Sequence, residues 1–148
     1  LTTLKEALQR TPQIQLCNPS PSSWGQGGFH NYWLNNSNAW IVHEWSKAGR
    51  EMINICSEGL TEESNIKIIK QAGRELLLFQ SSDWSFILKA GTTTELAKER
   101  INLHINRFWL LINAIKNRTT IDEKIFTEIE KEDCLFPLIS PTDWKKKV

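Results

Sequence analysis

The chain has 148 residues, enough for one domain that buries roughly 70% of the surface that its unfolded form would expose. Its 40% hydrophobic and 24% charged residues are close to the averages of soluble globular proteins, which argues against a disordered or membrane-spanning chain. A net charge of +1, with its only run of like charge at the carboxyl terminus, lacks the electrostatic pattern of a nucleic-acid-binding protein. We therefore expect neither nucleic acid nor a membrane as a partner.

The three cysteines are an odd number without metal-ligand spacing, so they favour neither a disulfide framework nor a zinc site. A reducing cytoplasm is the simplest location for such a chain. Seven Trp residues against one Tyr are an unusual balance, because the large apolar face of an indole serves in cores and in ligand sites alike.

In chain order, a short helix is predicted from Leu4 to Gln9, and residues 10–38 are predicted to form a long loop rich in Pro, Ser, Gly and Asn. Loops of this length inside a compact domain are usually either functional or disordered. Disordered linkers contain few aromatic residues. This loop contains four, Trp24, Phe29, Tyr32 and Trp33, so we expect it to be functional.

Apolar residues at steps of three and four predict a bundle of four or five helices over residues 39–133, and an all-α fold. The first helix is expected to stop at Gly59, and the second to begin near Thr61 and end near Gln80. Residues 134–148 are predicted to be an extended tail that packs on the bundle. The whole chain is thus predicted to be one helical domain.

The helix boundaries carry recognisable capping patterns. Ser81, Ser82 and Asp83 are successive N-cap candidates for a short helix that Gly91 would close. The spacings Thr92-x-x-Glu95 and Thr120-x-x-Glu123 predict capping boxes at the starts of the last two helices. His104 falls on the apolar face of the longer one, where a core histidine is far more common than a metal ligand.

The loop brackets three glycines with two indoles, Trp24 and Trp33. Glycines allow tight turns and close approach to a ligand, and an indole face can accept the apolar face of a glucose ring. Spacing alone supports a sugar platform and a structural plug equally. The sequence also leaves two roles for Asp83, because its carboxylate could cap a helix or accept hydrogen bonds from sugar hydroxyls.

The order of these motifs along the chain resembles one family. The matching segments are Ser22-Ser23-Trp24-Gly25-x-Gly27-Gly28-x-His30-x-x-Trp33-Leu34-Asn35, Ala72-x-Arg74-Glu75-Leu76-Leu77-Leu78-x-Gln80-Ser81-Ser82-Asp83-Trp84-x-Phe86, Ala97-x-Glu99-Arg100-x-x-x-His104-x-x-Arg107-Phe108 and Phe136-Pro137-x-Ile139. Together they resemble the C-terminal helical domain of family 57 glycoside hydrolases of the 1,4-α-glucan branching type. The resemblance covers nearly the whole chain.

The resemblance implies a retaining enzyme whose catalytic Glu and Asp lie in a separate barrel of the same polypeptide. By the resemblance, Trp24 and Trp33 correspond to the aromatic walls of the glucan cleft, and Asp83 corresponds to the carboxylate that faces this cleft. Trp84 is a further substrate-binding candidate. Two positions depart from the family pattern. The family often has an acidic residue where this chain has Phe29, and it commonly has Pro where this chain has Ser85.

The implied function is to position an α-1,4-glucan, such as glycogen or an amylose-like chain, for transfer into an α-1,6 branch. No catalytic residue, cofactor or metal is expected in this chain, and the chain alone is expected to be inactive. Two alternatives stay open: the same domain in an amylase or 4-α-glucanotransferase of family 57, and a stand-alone glucan-binding or protein-interaction module.

Overall fold

The computed structural model describes residues 1–11, 13–58 and 63–145. The helix stop predicted at Gly59 and the helix start predicted near Thr61 lie outside these ranges. The α-helices, in chain order, are α1 (Leu4–Arg10), α2 (Ala39–Ser57), α3 (Glu63–Phe79), α4 (Ser82–Ala90), α5 (Thr94–Asn117) and α6 (Glu123–Glu132).

Helices α2 to α6 form a five-helix bundle, whereas α1 buries none of its residues. No strand occurs in the described ranges, so the predicted all-α class is confirmed. A long loop joins α1 to α2, and the one helical segment among its described residues is a 3₁₀ turn over Gln26–Gly28. None of the helices in the described part of the chain has the length and apolar character needed to cross a bilayer.

Two apolar clusters hold the bundle together. The larger joins α2, α3, α5 and α6 around the fully buried rings of Phe79 and Phe108, which meet edge to face at 6.3 Å. The smaller joins α2, α4 and α5, and includes Ile41 and Leu88. Trp45 packs against both clusters. Fully burying one Phe, Ile, Leu or Met side chain stabilises a fold by about 1.5–3 kcal/mol. The two clusters therefore account for the relative placement of the helices.

The start of α5 differs from the prediction. Gly91 ends α4 with a φ of 75°, as expected for a C-terminal glycine. The capping box predicted at Thr92 is wrong, because the N-cap is Thr93, whose left-handed backbone (φ 47°) delays the helix and whose side chain makes no capping bond. The carboxylate of Glu95 instead pairs with the Lys98 amine at 2.9 Å.

The capping box predicted at Thr120 is also wrong. Helix α6 is capped by Asp122, whose carboxylate accepts the backbone N–H groups of Lys124 at 2.8 Å and Ile125 at 3.3 Å. A carboxylate can accept two such bonds and is favoured by the helix dipole. The helix therefore starts at Glu123, which becomes its first residue rather than its third.

Two indole N–H groups close the carboxyl end of α3. Trp45 donates to the backbone carbonyl of Phe79, and Trp84 donates to that of Leu78, each at 2.8 Å. The last four carbonyls of an α-helix have no partner within the helix, and buried ones must find a partner elsewhere. These bonds join the end of α3 to α2 and α4, and so set the direction in which α4 leaves.

The tail packs on the bundle through Ile139, which is buried, and Trp144, which is half-buried. Residues 134–140 have no helix, but Pro141–Trp144 form a 3₁₀ turn that the prediction of an extended tail did not include. A Cβ atom on the buried Gly73 of α3 would lie 2.6 Å from the Trp144 ring and 3.0 Å from Ile139. The absence of a side chain at position 73 therefore allows this close packing.

A buried polar cluster joins α3, α5 and the residue that follows α6. His104 is buried, as the sequence predicts, and its Nδ1 lies 2.8 Å from Oε2 of the fully buried Glu75 and 3.6 Å from Oδ2 of Asp133. The Gln71 amide donates to the other carboxylate oxygen of Glu75 at 2.9 Å. Burial raises the pKa of Glu75 because desolvation disfavours its charged form, while the hydrogen bonds of His104 and Gln71 act in the opposite direction.

Two arginines extend this cluster to the tail. Arg107 pairs with Asp133 at 2.5 Å and with Glu132, and these partners raise its pKa despite the opposing effect of burial. Arg74 donates to the backbone carbonyl of Leu135 at 2.8 Å. The chain leaving α6 is therefore tied to α3 and α5 by charged groups.

We predict that His104→Leu lowers the free energy of unfolding of this chain by about 3–5 kcal/mol near pH 8, because it leaves the Glu75 carboxylate buried without that partner. A glutamate whose folded pKa is raised binds more protons in the folded state than in the unfolded state, so its contribution to stability is lost as pH rises. The deficit should therefore shrink as pH falls towards the ordinary range of a glutamate. Urea unfolding at pH 5 and pH 8 measures it.

The double variant Glu75→Leu, His104→Leu is the control. Replacing both partners by apolar groups removes the buried carboxylate, so most of the lost stability should return and the added pH dependence should disappear. A double variant as unstable as His104→Leu, or a deficit equal at both pH values, would contradict this account.

Candidate functional site

The glycine cluster of the loop adopts backbone conformations that favour glycine. Gly25, Gly27 and Gly28 have φ values of 108°, 74° and 69°. The backbone N–H of Ser23 donates to the carbonyl of Gly28 at 2.8 Å, so the segment folds back on itself. A Cβ atom on Gly25 would lie 2.9 Å from the ring of Tyr32. The turn therefore brings Tyr32 directly against the backbone beside Trp24.

Four aromatic rings cluster where this loop meets α4. Trp24 lies 6.1 Å from Trp33 and 5.8 Å from Tyr32, measured between ring centroids. Phe86 of α4 stacks on Tyr32 at 5.2 Å and contacts Trp24 at 6.0 Å and Trp33 at 6.4 Å. Trp24 nevertheless stays 68% exposed, so it is not a core plug within this domain.

The sequence-predicted residues Trp24, Trp33 and Asp83 meet around one open depression of about 340 Å³. Ser82 and Phe86 complete its lining. The depression thus combines the faces of two indoles and a third ring with a carboxylate and a hydroxyl. Such a surface can pack against the apolar face of a sugar ring and accept hydrogen bonds from its hydroxyls.

Asp83 is exposed in the first turn of α4 and does not cap the helix. The N-cap is Ser81, whose side chain makes no capping bond and instead donates from its hydroxyl to Oδ2 of Asp83 at 3.0 Å. The capping alternative for Asp83 and Ser82 is therefore not what the structure shows. One carboxylate oxygen is engaged with Ser81, and the side chain as a whole borders the depression.

Trp84, the fourth sequence-predicted site residue, lies elsewhere. It is half-buried, packs against the smaller apolar cluster and donates its indole N–H to Leu78. It is not part of the described lining of the depression. In this structure its contacts are those of a packing residue that holds α4 on α3.

A buried amide, Asn38, attaches the loop to α4 and was not singled out from the sequence. Its Nδ2 donates to the backbone carbonyls of Tyr32 at 3.1 Å and Ser85 at 3.2 Å, and its Oδ1 accepts the N–H of Asn35 at 2.8 Å. Asn38 precedes the first residue of α2, a position where a cap is the ordinary expectation. Its partner Ser85 is 47 positions away, and local sequence patterns do not report such contacts.

Phe86 was also missed as a lining residue, although it is within the motif that carries the resemblance. The available signal was spacing, because Asp83 and Phe86 are three residues apart and so lie on one face of α4. The hydroxyl of Ser85, between them, is buried and has no hydrogen-bond partner in the described structure.

The described residues contain one group able to hold a metal ion, formed by Glu75, His104 and Asp133, whose ligand atoms lie within 4.8 Å of one another. Arg107 already pairs with the Asp133 carboxylate, and the Gln71 amide donates a hydrogen bond to the Glu75 carboxylate. The cluster is satisfied as a hydrogen-bonded structural element, so it gives no reason to invoke a metal.

A larger cavity of about 770 Å³ opens where α3, α5 and α6 meet, and its lining includes Ile68, Ile115, Arg118 and Phe126. Size alone would favour it as a ligand site. The single ring in its described lining, Phe126, is covered by the Lys67 amine at 4.9 Å, and Lys67 is itself paired with Glu130 at 2.8 Å. The depression around Trp24 and Trp33, with two indoles and a carboxylate, is the better candidate.

Comparison with known proteins identifies the family. A family model described as 1,4-alpha-glucan branching enzyme, C-terminal, matches residues 44–144. The chain belongs to this family. It is 34% identical over 116 residues to the 1,4-alpha-glucan branching enzyme TK1436 of Thermococcus kodakarensis, a match that covers 75% of the chain and 17% of that enzyme. The domain therefore spans about a sixth of the length of this curated relative.

Solved structures agree over 99% of this branching-enzyme domain. They include a GH57-type branching enzyme from Pyrococcus horikoshii, with a TM-score of 0.87, 27% identity and 28% of that chain covered. TK1436, solved in complex with glucose and additives, has a TM-score of 0.81, 28% identity and 28% coverage. The α-amylase AmyC from Thermotoga maritima has a TM-score of 0.79, 29% identity and 26% coverage.

Proposed function

We propose that this domain forms part of the glucan cleft of a 1,4-α-glucan branching enzyme and positions the substrate for transfer. The observation that carries the proposal is the joint placement of Trp24, Trp33 and Asp83 around one open depression. Membership of the branching-enzyme family supports it. The substrate class is an α-1,4-glucan, whose glucose rings present apolar faces to indoles and hydroxyls to a carboxylate.

The chemistry explains why such a wall matters. A retaining α-glucan transferase forms a covalent glycosyl-enzyme that either an acceptor sugar or water can attack. Branching requires that the 6-hydroxyl of the acceptor reach this intermediate while water is kept away. Two aromatic faces that hold a sugar ring in one orientation serve both requirements, and Asp83 adds a hydrogen-bond acceptor that fixes its rotation.

The partner for this surface is the catalytic barrel of the same polypeptide. The loop presents Trp24, Phe29 and Leu34 to solvent, each more than half exposed. Exposed apolar groups gathered on one segment are typical of an interaction surface. The barrel would close the other side of the depression and complete the cleft.

A second candidate is the same role in a hydrolytic or 4-α-glucan-transferring enzyme of family 57. The match to the α-amylase AmyC, with 29% identity and a TM-score of 0.79, favours this alternative specifically. A stand-alone glucan-binding or protein-interaction module is the third candidate. Family membership and the small share of each relative that the chain spans favour an enzyme domain over a module.

We predict that the isolated chain neither branches nor hydrolyses amylose, because the required pair of carboxylates belongs to the barrel. Iodine staining and a reducing-end assay after prolonged incubation measure both activities. Turnover that co-purifies with the chain and exceeds the buffer blank would contradict the proposal.

We predict that Trp24→Ala in the full-length enzyme lowers the ratio of α-1,6 bonds formed to reducing ends released. Losing one wall misplaces the acceptor and admits water, so hydrolysis should fall less than transfer. Stability should change little, because Trp24 is 68% exposed, whereas truncating a buried Trp typically costs ~3–5 kcal/mol. Bond-type analysis by NMR and a melting curve provide the two measurements.

The matched control is Trp40→Ala, which removes another exposed indole that is not part of the described lining of the depression. Its product ratio should equal that of the unaltered enzyme. If Trp24→Ala collapses the melting temperature while the ratio stays unchanged, Trp24 is a structural plug against the barrel and the site assignment is wrong.

A further inference from the structure

Phe86 connects the loop part of the site to its helical part. Trp24, Tyr32 and Trp33 lie on the loop between α1 and α2, whereas Ser82 and Asp83 lie on α4. Within the described ranges, Phe86 is the one bundle ring in contact with these three loop rings. Phe86 therefore links the position of the two indoles to that of the Asp83 carboxylate.

The contacts of Phe86 constrain orientation as well as distance. Its ring lies nearly parallel to Tyr32, with an interplanar angle of 21°, and is tilted by 41° to Trp24 and 43° to Trp33. Because the Phe86 ring contacts three others at once, any rotation of it would change all three contacts together. Tyr32 in turn lies against the backbone of Gly25, next to Trp24.

The backbone beside Phe86 is held independently. Asn38 is fully buried, and its amide bridges the carbonyl of Ser85 to that of Tyr32. The α4 backbone and the loop backbone thus meet at the same place as their rings. Because the backbone is anchored there by Asn38, attachment of the loop does not depend on the side chain at position 86.

We propose that Phe86 is a positioning residue for acceptor transfer, which sets the angle of the Trp24 and Trp33 faces relative to the Asp83 carboxylate. This inference rests on the proposed function, because it acts through the two indoles. An aliphatic side chain of similar size would fill the same space but would not define ring angles. The sugar would then lie in several orientations, and small displacements of reacting groups reduce transfer steeply.

The test compares Phe86→Leu, Phe86→Tyr and Phe126→Leu in the full-length enzyme. Phe126 is a matched control, since it is a nearly buried α6 ring of the larger apolar cluster and lines the other cavity. Phe86→Leu should lower the ratio of α-1,6 bonds to reducing ends by about tenfold, since a misplacement near 1 Å can reduce rate by up to ~100-fold. Phe86→Tyr, which keeps the ring, should retain the ratio within about twofold.

Phe126→Leu should leave the ratio unchanged below its melting temperature, which separates positioning from a general loss of packing. In a background of Trp24→Ala and Trp33→Ala, Phe86→Leu should have no further effect on the ratio, because the groups through which it acts are gone. An unchanged ratio in Phe86→Leu would overturn the inference. So would a tenfold effect that persists in that background.

The failure of this inference can be distinguished from failure of the proposed function. If Trp24→Ala lowers the product ratio and Phe86→Leu does not, only the role of Phe86 is wrong. If Trp24→Ala leaves the ratio unchanged, the depression is not an acceptor wall and both proposals fall.

Discussion

The closure of the carboxyl end of α3 is the constraint on which the site depends. Two indole N–H groups, from Trp45 and Trp84, satisfy carbonyls at this end and join it to α2 and α4. Because α4 is placed by these bonds, the Ser85 carbonyl is in position to accept the Asn38 amide. That amide attaches the loop, and the loop delivers its indoles to Asp83. Two Trp residues thus belong to the framework, and two others lie beside Asp83 at the surface.

The exposure of Trp24 runs against the hydrophobic effect. Leaving 68% of an indole in water forgoes roughly 3–4 kcal/mol that full burial would give. The side chain is nevertheless held in place by contacts with Tyr32, Trp33 and Phe86. An apolar surface that is held in place but left uncovered is typical of an interaction surface. In the proposed function, the cleft closed by the barrel would place a sugar ring on it.

Much of the fold was predictable because helical periodicity is local. The apolar face of α5 and the left-handed stop at Gly91 follow from residues close in sequence. The capping boxes at Thr92 and Thr120 failed because α5 starts one residue later, after the left-handed Thr93, and α6 starts two residues later, after its cap Asp122.

The site was predictable only in part, for the same physical reason. Trp24, Trp33 and Asp83, which were predicted from motifs, line one depression, whereas the indole of Trp84, assigned through the resemblance, donates to Leu78. The Asn38–Ser85 bond and the three contacts of Phe86 join distant segments.

The most direct measurement is a crystal structure of the full-length enzyme soaked with a maltooligosaccharide. We expect a glucose ring against the Trp24 or Trp33 face with a hydroxyl hydrogen-bonded to Asp83. Barrel side chains packed over both indoles, with no room for sugar, would contradict it.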